Sequence, residues 1–159
     1  MISGRTLLHV FCNCSTSLDQ GRYTWRHDSV LLSIVSAVRD NLQHGFALFS
    51  DLPGFKAPHG GVIPPHVLVT SLKPDLFIIN EETRVIVMLE LTCPWDVNVA
   101  RSHNYKQEKY SPLVTDLSNY YRVRYYPVEV SVRGQVTGGN KTRFKSFIFE
   151  CCCDPKAIL

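Results

Sequence analysis

The chain has 159 residues, of which 45% are hydrophobic and 19% charged, so it fits one globular domain and is too apolar for a disordered protein. Its net charge of +3 is compatible with a nucleic-acid partner without demonstrating one, and basic residues concentrate between positions 101 and 145. No apolar run reaches the roughly 18 residues of a membrane span, so we expect neither a transmembrane helix nor a membrane partner. The clustered cysteines favour a reducing compartment.

The first predicted element is a helix that begins at Asp28 and ends before Gly45. Asp28 is placed to cap its first turn, and Gly45 to terminate it. Seven prolines and glycines then mark residues 50–66 as a loop, and residues 67–69 form a short predicted strand. The helix is predicted from apolar residues that recur every three or four positions, namely Val30, Leu31, Ile34, Val35, Val38 and Leu42.

Two apolar runs, Leu76–Ile79 and Val85–Leu89, flank a polar, turn-like segment at 80–84. This pattern predicts a hairpin of two adjacent strands. Asp75 directly precedes the first run and Glu90 directly follows the second. The hairpin therefore brings both carboxylates to the same end of a sheet.

A pair of neighbouring carboxylates at a sheet edge is repulsive unless a cation lies between them. Mg²⁺ bound by one or two carboxylates and a substrate phosphate is the usual arrangement in phosphoryl-transfer sites. The alternative is that Asp75 and Glu90 are ordinary surface residues. Both adjoin apolar segments, however, where an unpaired charge is costly. The pattern therefore predicts a metal-dependent nuclease.

The remaining elements predict a mixed architecture. A second helix is expected from about residue 97 to residue 112 or 119, with a kink or an end at Pro112. Residues 123–132 alternate as a strand does, and residues 144–149 fit a helix or a strand equally well. The predicted fold class is α/β, with a small mixed central sheet flanked by helices.

A nuclease also needs a positive charge near the attacking water or the scissile phosphate. The position two residues after Glu90, where lysine is often found, holds Thr92. The nearest substitutes are Lys106 and Lys109, three residues apart on one face of the second helix. They could also be solvated surface lysines. A helix that leaves the second acidic strand nevertheless places its inner face over the strand ends.

The sequence around these residues resembles a known family. Lys73-Pro74-Asp75 followed by Glu90 is similar to the signature of the restriction-like endonuclease domain of site-specific non-LTR retrotransposons. The resemblance spans roughly residues 7–145 and implies the PD-(D/E)xK nuclease fold. It is supported by further collinear segments, which are Gly21–Leu31, Glu90–Trp95, Ser102–Tyr110 and Tyr126–Val130.

The resemblance implies a division of roles within the site. Asp75, Glu90 and the Leu91 carbonyl would hold Mg²⁺ or Mn²⁺, while Lys106 or Lys109 would stabilise the developing charge. Asp28 is either a third acid that reaches the metal or an N-cap of the first helix.

The implied partner is DNA, in the nucleus, and the implied activity is nicking of target DNA for reverse transcription. By analogy with such domains, double-strand cutting would require a homodimer. The alternative is a nucleic-acid-binding module that has lost its catalytic activity. The candidate DNA contacts are Arg22, Arg26, His27, Lys73 and Tyr110, of which His27 could equally serve in packing or capping, and Tyr110 in supporting the site.

We divide the chain into an N-terminal segment at 1–20, a nuclease domain at 21–150 and a tail at 151–159. His9 and Cys14 match the second half of a zinc knuckle, with Cys12 as a weak substitute ligand. Two ligands do not make a structural zinc site, so we predict no zinc.

Overall fold

The computed structural model describes residues 19, 21–93, 99–130 and 138–153 of the chain. These ranges form a mixed α/β arrangement, as the sequence predicts. The elements in chain order are α1 (Arg22–Asp40), β1 (Ala47–Ser50), β2 (Leu76–Asn80), β3 (Val85–Thr92), α2 (Val99–Ser118), β4 (Arg122–Glu129) and α3 (Gly138–Cys151).

The four strands form one mixed sheet in the order β1-β2-β3-β4. β1, β2 and β3 are antiparallel neighbours, whereas β4 pairs parallel to β3. Helix α2 provides the crossover connection that a parallel pair requires. The hairpin prediction is confirmed, because Leu76 lies opposite Leu89. β1 was not predicted, since four residues are too few to show a clear alternation.

The sheet separates two hydrophobic clusters. One contains residues of α1 and α3, and the other contains residues of α2. Side chains of β3 alternate between them: Leu89 and Leu91 belong to the first cluster, Ile86 and Met88 to the second. Because strand side chains alternate with a period of two, Glu90 continues the row that faces α2.

Helix α1 starts earlier than predicted, at Arg22, and it follows Gly21, which adopts a φ of 65°. Asp28 therefore lies inside the helix, so its predicted role as N-cap is wrong. The helix ends at Asp40, five residues before Gly45. Residues 67–69, predicted as a strand, form none.

Two elements near the C-terminal end resolve alternatives that periodicity left open. α2 continues past Pro112 to Ser118, so the proline does not end the helix. Residues 144–149 are helical, within α3. Cys151 and Cys152, assigned to a tail, are buried in the core, so the packed part of the chain extends beyond residue 150. No helix in the described ranges is long and apolar enough to cross a membrane.

Candidate active site

The hairpin places the two predicted acids side by side and fixes them through the backbone. The amide of Asp75 donates to Oε2 of Glu90 at 3.2 Å, and the amide of Leu91 donates to Oδ2 of Asp75 at 2.7 Å. The hydroxyl of Ser50, which is fully buried on β1, donates to the Asp75 carbonyl at 2.6 Å. Each carboxylate thus has an orientation set by main-chain groups of the other strand.

Glu90 is only 2% exposed, and its electrostatic environment opposes ionisation. Burial, followed by the negative charge of Asp75, raises the pKa of Glu90, while Lys106 and Tyr110 act in the opposite sense. Two carboxylates held this close in a low-polarity site need compensating positive charge. That need is what makes the site suitable for a cation.

Lys106 supplies part of this charge. Its ammonium group forms an ion pair with Oε1 of Glu90. Burial would lower the pKa of Lys106, but the adjacent Glu90 outweighs burial and the pKa is raised. Lys106 therefore stays protonated at neutral pH.

The second candidate, Lys109, takes a different position. Its Nζ lies 4.9 Å from the centroid of the Tyr110 ring, and the side chain is exposed. Of the two lysines between which the sequence left the choice open, the structure brings Lys106 to Glu90.

Tyr110 is fully buried, and burial favours a supporting role over a contact with DNA. Its hydroxyl donates to the carbonyl of Lys73 at 2.8 Å. This bond ties α2 to the residue that opens the Lys73-Pro74-Asp75 motif. Tyr110 thus supports the site, which was the other role the sequence suggested for it. Burial, aided by the charge of Glu90, raises the pKa of Tyr110, so the hydroxyl remains a donor.

Helix α1 contributes an imidazole rather than a carboxylate to the site. His27 Nε2 lies 3.3 Å from Oδ2 of Asp75 and 3.3 Å from the carbonyl oxygen of Leu91. Asp28 lies on the far side of the ring, with Oδ1 3.0 Å from His27 Nδ1. Asp28 therefore orients His27, and the structure shows no approach of Asp28 to Asp75 or Leu91.

The protonation of His27 follows from these neighbours. Burial would lower its pKa, but the hydrogen bonds to Asp75 and Asp28 raise it to about 9. The imidazolium donates from both nitrogens to carboxylates. A positive N–H group thus lies between the Asp75 carboxylate and the Leu91 carbonyl.

The spacing of apolar residues in the sequence contains a signal for this role of His27. Leu31, Val35 and Val38 are buried and form the inward stripe of α1. His27 precedes Leu31 by four residues and therefore extends the same stripe. The predicted helix starts at Asp28 and therefore excludes His27, whereas the observed helix starts at Arg22 and includes it.

The remaining DNA-contact candidates lie near the site with less defined roles. Lys73 is exposed, and Arg26 is half-buried with its guanidinium carbon 5.7 Å from the Tyr23 ring centroid. Trp25, at 73% exposure, presents a large aromatic surface on the same helix. The side chain of Arg22 lies outside the described residues, as do His9, Cys12 and Cys14.

The residues present fit a divalent ion of the magnesium type. Within the described ranges, no three His, Cys, Asp or Glu side chains converge into a closed metal site. Mg²⁺, however, commonly takes only one or two carboxylates and completes its octahedron with water and phosphate oxygens. Asp75, Glu90 and the Leu91 carbonyl are such oxygen donors. The positively charged His27 N–H group lies at two of these oxygens, Asp75 Oδ2 and the Leu91 carbonyl.

Compared with known proteins, the chain matches no family model, and no curated protein is recognisably similar to it.

Proposed function

We propose that this chain is a divalent-metal-dependent DNA endonuclease with a PD-(D/E)xK core, which nicks target DNA as its resemblance to retrotransposon endonucleases implies. One observation carries the proposal: Asp75 and Glu90 meet at adjoining strand ends with the Lys106 ammonium on Glu90. The small mixed sheet flanked by helices also supports it.

The residues have distinct roles in the proposed reaction. Asp75, Glu90 and the Leu91 carbonyl would hold Mg²⁺ or Mn²⁺, which when bound polarises a phosphodiester and acidifies water. The Lys106 ammonium, fixed by Glu90, stabilises negative charge that develops on the phosphoryl oxygens. The cross-strand amide bonds keep both carboxylates in place before substrate arrives.

His27 occupies the oxygens of Asp75 and Leu91 that a metal ion would use. As an imidazolium it neutralises Asp75 while no metal is bound. A divalent ion held by Asp75 and the Leu91 carbonyl would compete with the His27 N–H group for the same two oxygens.

Arg26 and Lys73 lie next to the site and suit contacts to the flanking phosphates. One site of this kind cuts one strand, so a double-strand break would need two copies of the chain.

A second candidate function is a nucleic-acid-binding module without catalysis. The observation that favours it is that His27 and Lys106 already compensate both carboxylates. A site whose charges are satisfied from within the chain does not require a metal for its stability.

The test is nicking of supercoiled plasmid by the purified chain with Mg²⁺ or Mn²⁺. We expect nicking that depends on the ion and is lost in Asp75→Ala and Glu90→Ala. Asp116→Ala and Glu82→Ala, which remove exposed acids on α2 and in the β2–β3 turn, are the matched controls. DNA binding without nicking on plasmid, branched and single-stranded DNA alike would support the binding module instead.

A further inference from the structure

A second buried carboxylate, paired with a histidine, lies beside the proposed site. Glu129, the last residue of β4, is only 1% exposed, and its Oε1 lies 3.0 Å from Nδ1 of His103 on α2. Arg143 of α3 also approaches, with Nη1 3.3 Å from the same ring nitrogen. None of these three residues has a role in the proposed metal site.

The neighbours of His103 determine which of its nitrogens carries the proton. A guanidinium has donors only, and an ionised carboxylate has acceptors only. Nδ1 cannot serve both neighbours at once, and it donates to Glu129, the nearer of the two at 3.0 Å, because a bare Nδ1 lone pair would face the buried carboxylate unfavourably; the 3.3 Å approach of Arg143 is then not a hydrogen bond to this nitrogen. The lone pair of the neutral ring is then on Nε2, which makes no hydrogen bond within the described part of the chain. This is the orientation in which a carboxylate-held histidine accepts protons.

The His103–Glu129 pair neighbours the proposed site on both the sheet and helix α2. Glu129 pairs in register with Thr92, two residues after Glu90 and about 7 Å along the strand. His103 lies three residues before Lys106, on the same face of α2. Residues two apart on a strand and three apart on a helix share a face, so the His103–Glu129 pair borders the proposed site.

Thr92 is the residue between the two pairs. Its side chain is on the strand face that carries Glu90, and the residue is 8% exposed. Its Oγ1 is buried and makes no hydrogen bond with any described residue. A buried hydroxyl without a protein partner is uncommon and suits a group that exchanges protons with solvent or substrate. Thr92 occupies the position two residues after Glu90, where lysine is often found.

Hydrolysis of a phosphodiester requires an acceptor for the proton of the attacking water, and neither Lys106 nor Glu90 is free to act as one. Lys106 is an ammonium bound to Glu90 and has no lone pair to offer. Both oxygens of Glu90 accept hydrogen bonds, one from Lys106 and one from the Asp75 amide.

We propose that His103 is the proton acceptor of the reaction, held in place by Glu129 and connected to the attacking water through the Thr92 hydroxyl and solvent. The inference rests on the proposed nuclease function. An O–H bond of water breaks as its oxygen bonds phosphorus, the bond from phosphorus to the leaving sugar oxygen breaks, and that oxygen takes a proton from solvent. The water's proton goes to Nε2 of His103 and then to bulk solvent.

The charged groups around the imidazole define the chemistry of this acceptor. Glu129 faces it from β4 and Arg143 from α3, while Lys106 and its partner Glu90 lie one turn away on the side of the proposed site. Glu129 acts through His103 and is therefore a positioning residue.

The experiment compares nicking rates of wild type, His103→Gln, His103→Ala and Glu129→Gln over a range of pH at saturating Mn²⁺. We expect His103→Gln to lower the rate by about 100-fold or more, in the range of general acid–base catalysis, and to remove the acidic limb of the pH profile. Added imidazole should restore part of the His103→Ala rate and leave Lys106→Met unchanged. Glu129→Gln should shift the acidic limb.

His66→Gln is the matched control, because His66 pairs with Glu81 on the exposed surface, with Nε2 2.8 Å from Oε1. Circular dichroism and Mn²⁺ binding establish that each variant is folded and loaded. His103 variants that nick like wild type, with an unchanged pH profile, overturn the inference and leave the nuclease standing. Wild-type protein without any Asp75-dependent nicking overturns both.

Discussion

The amide of Leu91 donates a 2.7 Å hydrogen bond to Oδ2 of Asp75, the carboxylate that precedes the neighbouring strand. In return, the amide of Asp75 donates to Glu90, at 3.2 Å. Each acid of the hairpin is therefore held by the backbone beside the other. A carboxylate fixed in this way loses little rotational freedom when it binds a cation, so the site is organised in advance.

Substitution of Asp75 by asparagine should separate this structural role from the charge. The amide oxygen of asparagine can still accept from Leu91, and the loss of the charged partner of His27 is offset in part by relief of the repulsion on Glu90, so we expect the melting temperature to fall by only a few degrees. Nicking should fall by at least about 100-fold, because the cation loses a charged ligand. Parallel melting curves and plasmid assays test this. Asp116→Asn is the control, and a variant that nicks at the wild-type rate would exclude Asp75 from the metal site.

The two lysines of α2 should differ sharply. Lys106→Met keeps most of the aliphatic stem but leaves Glu90 without its cation, so nicking should fall by about 100-fold or more. Lys109→Met removes an exposed charge that lies over Tyr110, and we expect a change of a few-fold at most. Single-turnover rates at saturating metal are the measurement. The opposite ranking would transfer the role to Lys109.

His27 should make the stability of the metal-free protein depend on pH. Its folded pKa of about 9 lies above the ordinary value of 6.5, so folding favours the protonated ring. The resulting stabilisation, up to about 3 kcal/mol, is fully present below pH 6.5 and is lost as the pH rises through 9.

Denaturant unfolding of wild type and His27→Gln at pH 6 and pH 10, with chelator present, measures this difference. The gap between the two proteins should be large at pH 6 and small at pH 10. His44→Gln, at an exposed position after α1, should show no such change. An equal gap at both pH values would mean that His27 stabilises the fold by packing alone.

Tyr110 should contribute to stability through one hydrogen bond. Tyr110→Phe removes the donor of a part-buried hydrogen bond to the Lys73 carbonyl, which should cost about 1 kcal/mol of unfolding free energy. Tyr105→Phe, at 62% exposure on the same helix, is the control and should change little. Urea titration followed by far-ultraviolet circular dichroism gives the unfolding free energy of both variants. Equal stability of the two variants would show that the Lys73 carbonyl finds another partner.

Several parts of the fold could be predicted because local patterns determine them. The apolar, β-branched runs at 76–79 and 85–89 specify two strands, and the polar segment between them specifies their pairing. Antiparallel pairing then puts residues 75 and 90 opposite each other without further information. The buried face of α1 could also be predicted, because Leu31, Val35 and Val38 recur at helical spacing.

The errors arose where a local signal competed with packing. Asp28 resembles an N-cap, but α1 extends to Arg22, so the aspartate supports His27 from inside the helix. For Tyr110 the sequence left open a contact with DNA or support of the site, and burial against the sheet directs its hydroxyl to Lys73. Pro112 left open whether α2 ends there or near residue 119, and packing decides for the longer helix, which ends at Ser118.

The sequence by itself determined the secondary structure around the site and the meeting of Asp75 with Glu90, because a hairpin needs only neighbouring residues and the period of the pleat. Only the tertiary structure decided that Lys106 rather than Lys109 reaches Glu90, that His27 lies against Asp75 and Leu91, and that Glu129 holds His103. These contacts join residues on different elements. They depend on how helices rotate and shift when they pack on the sheet, and helical spacing alone does not specify that rotation.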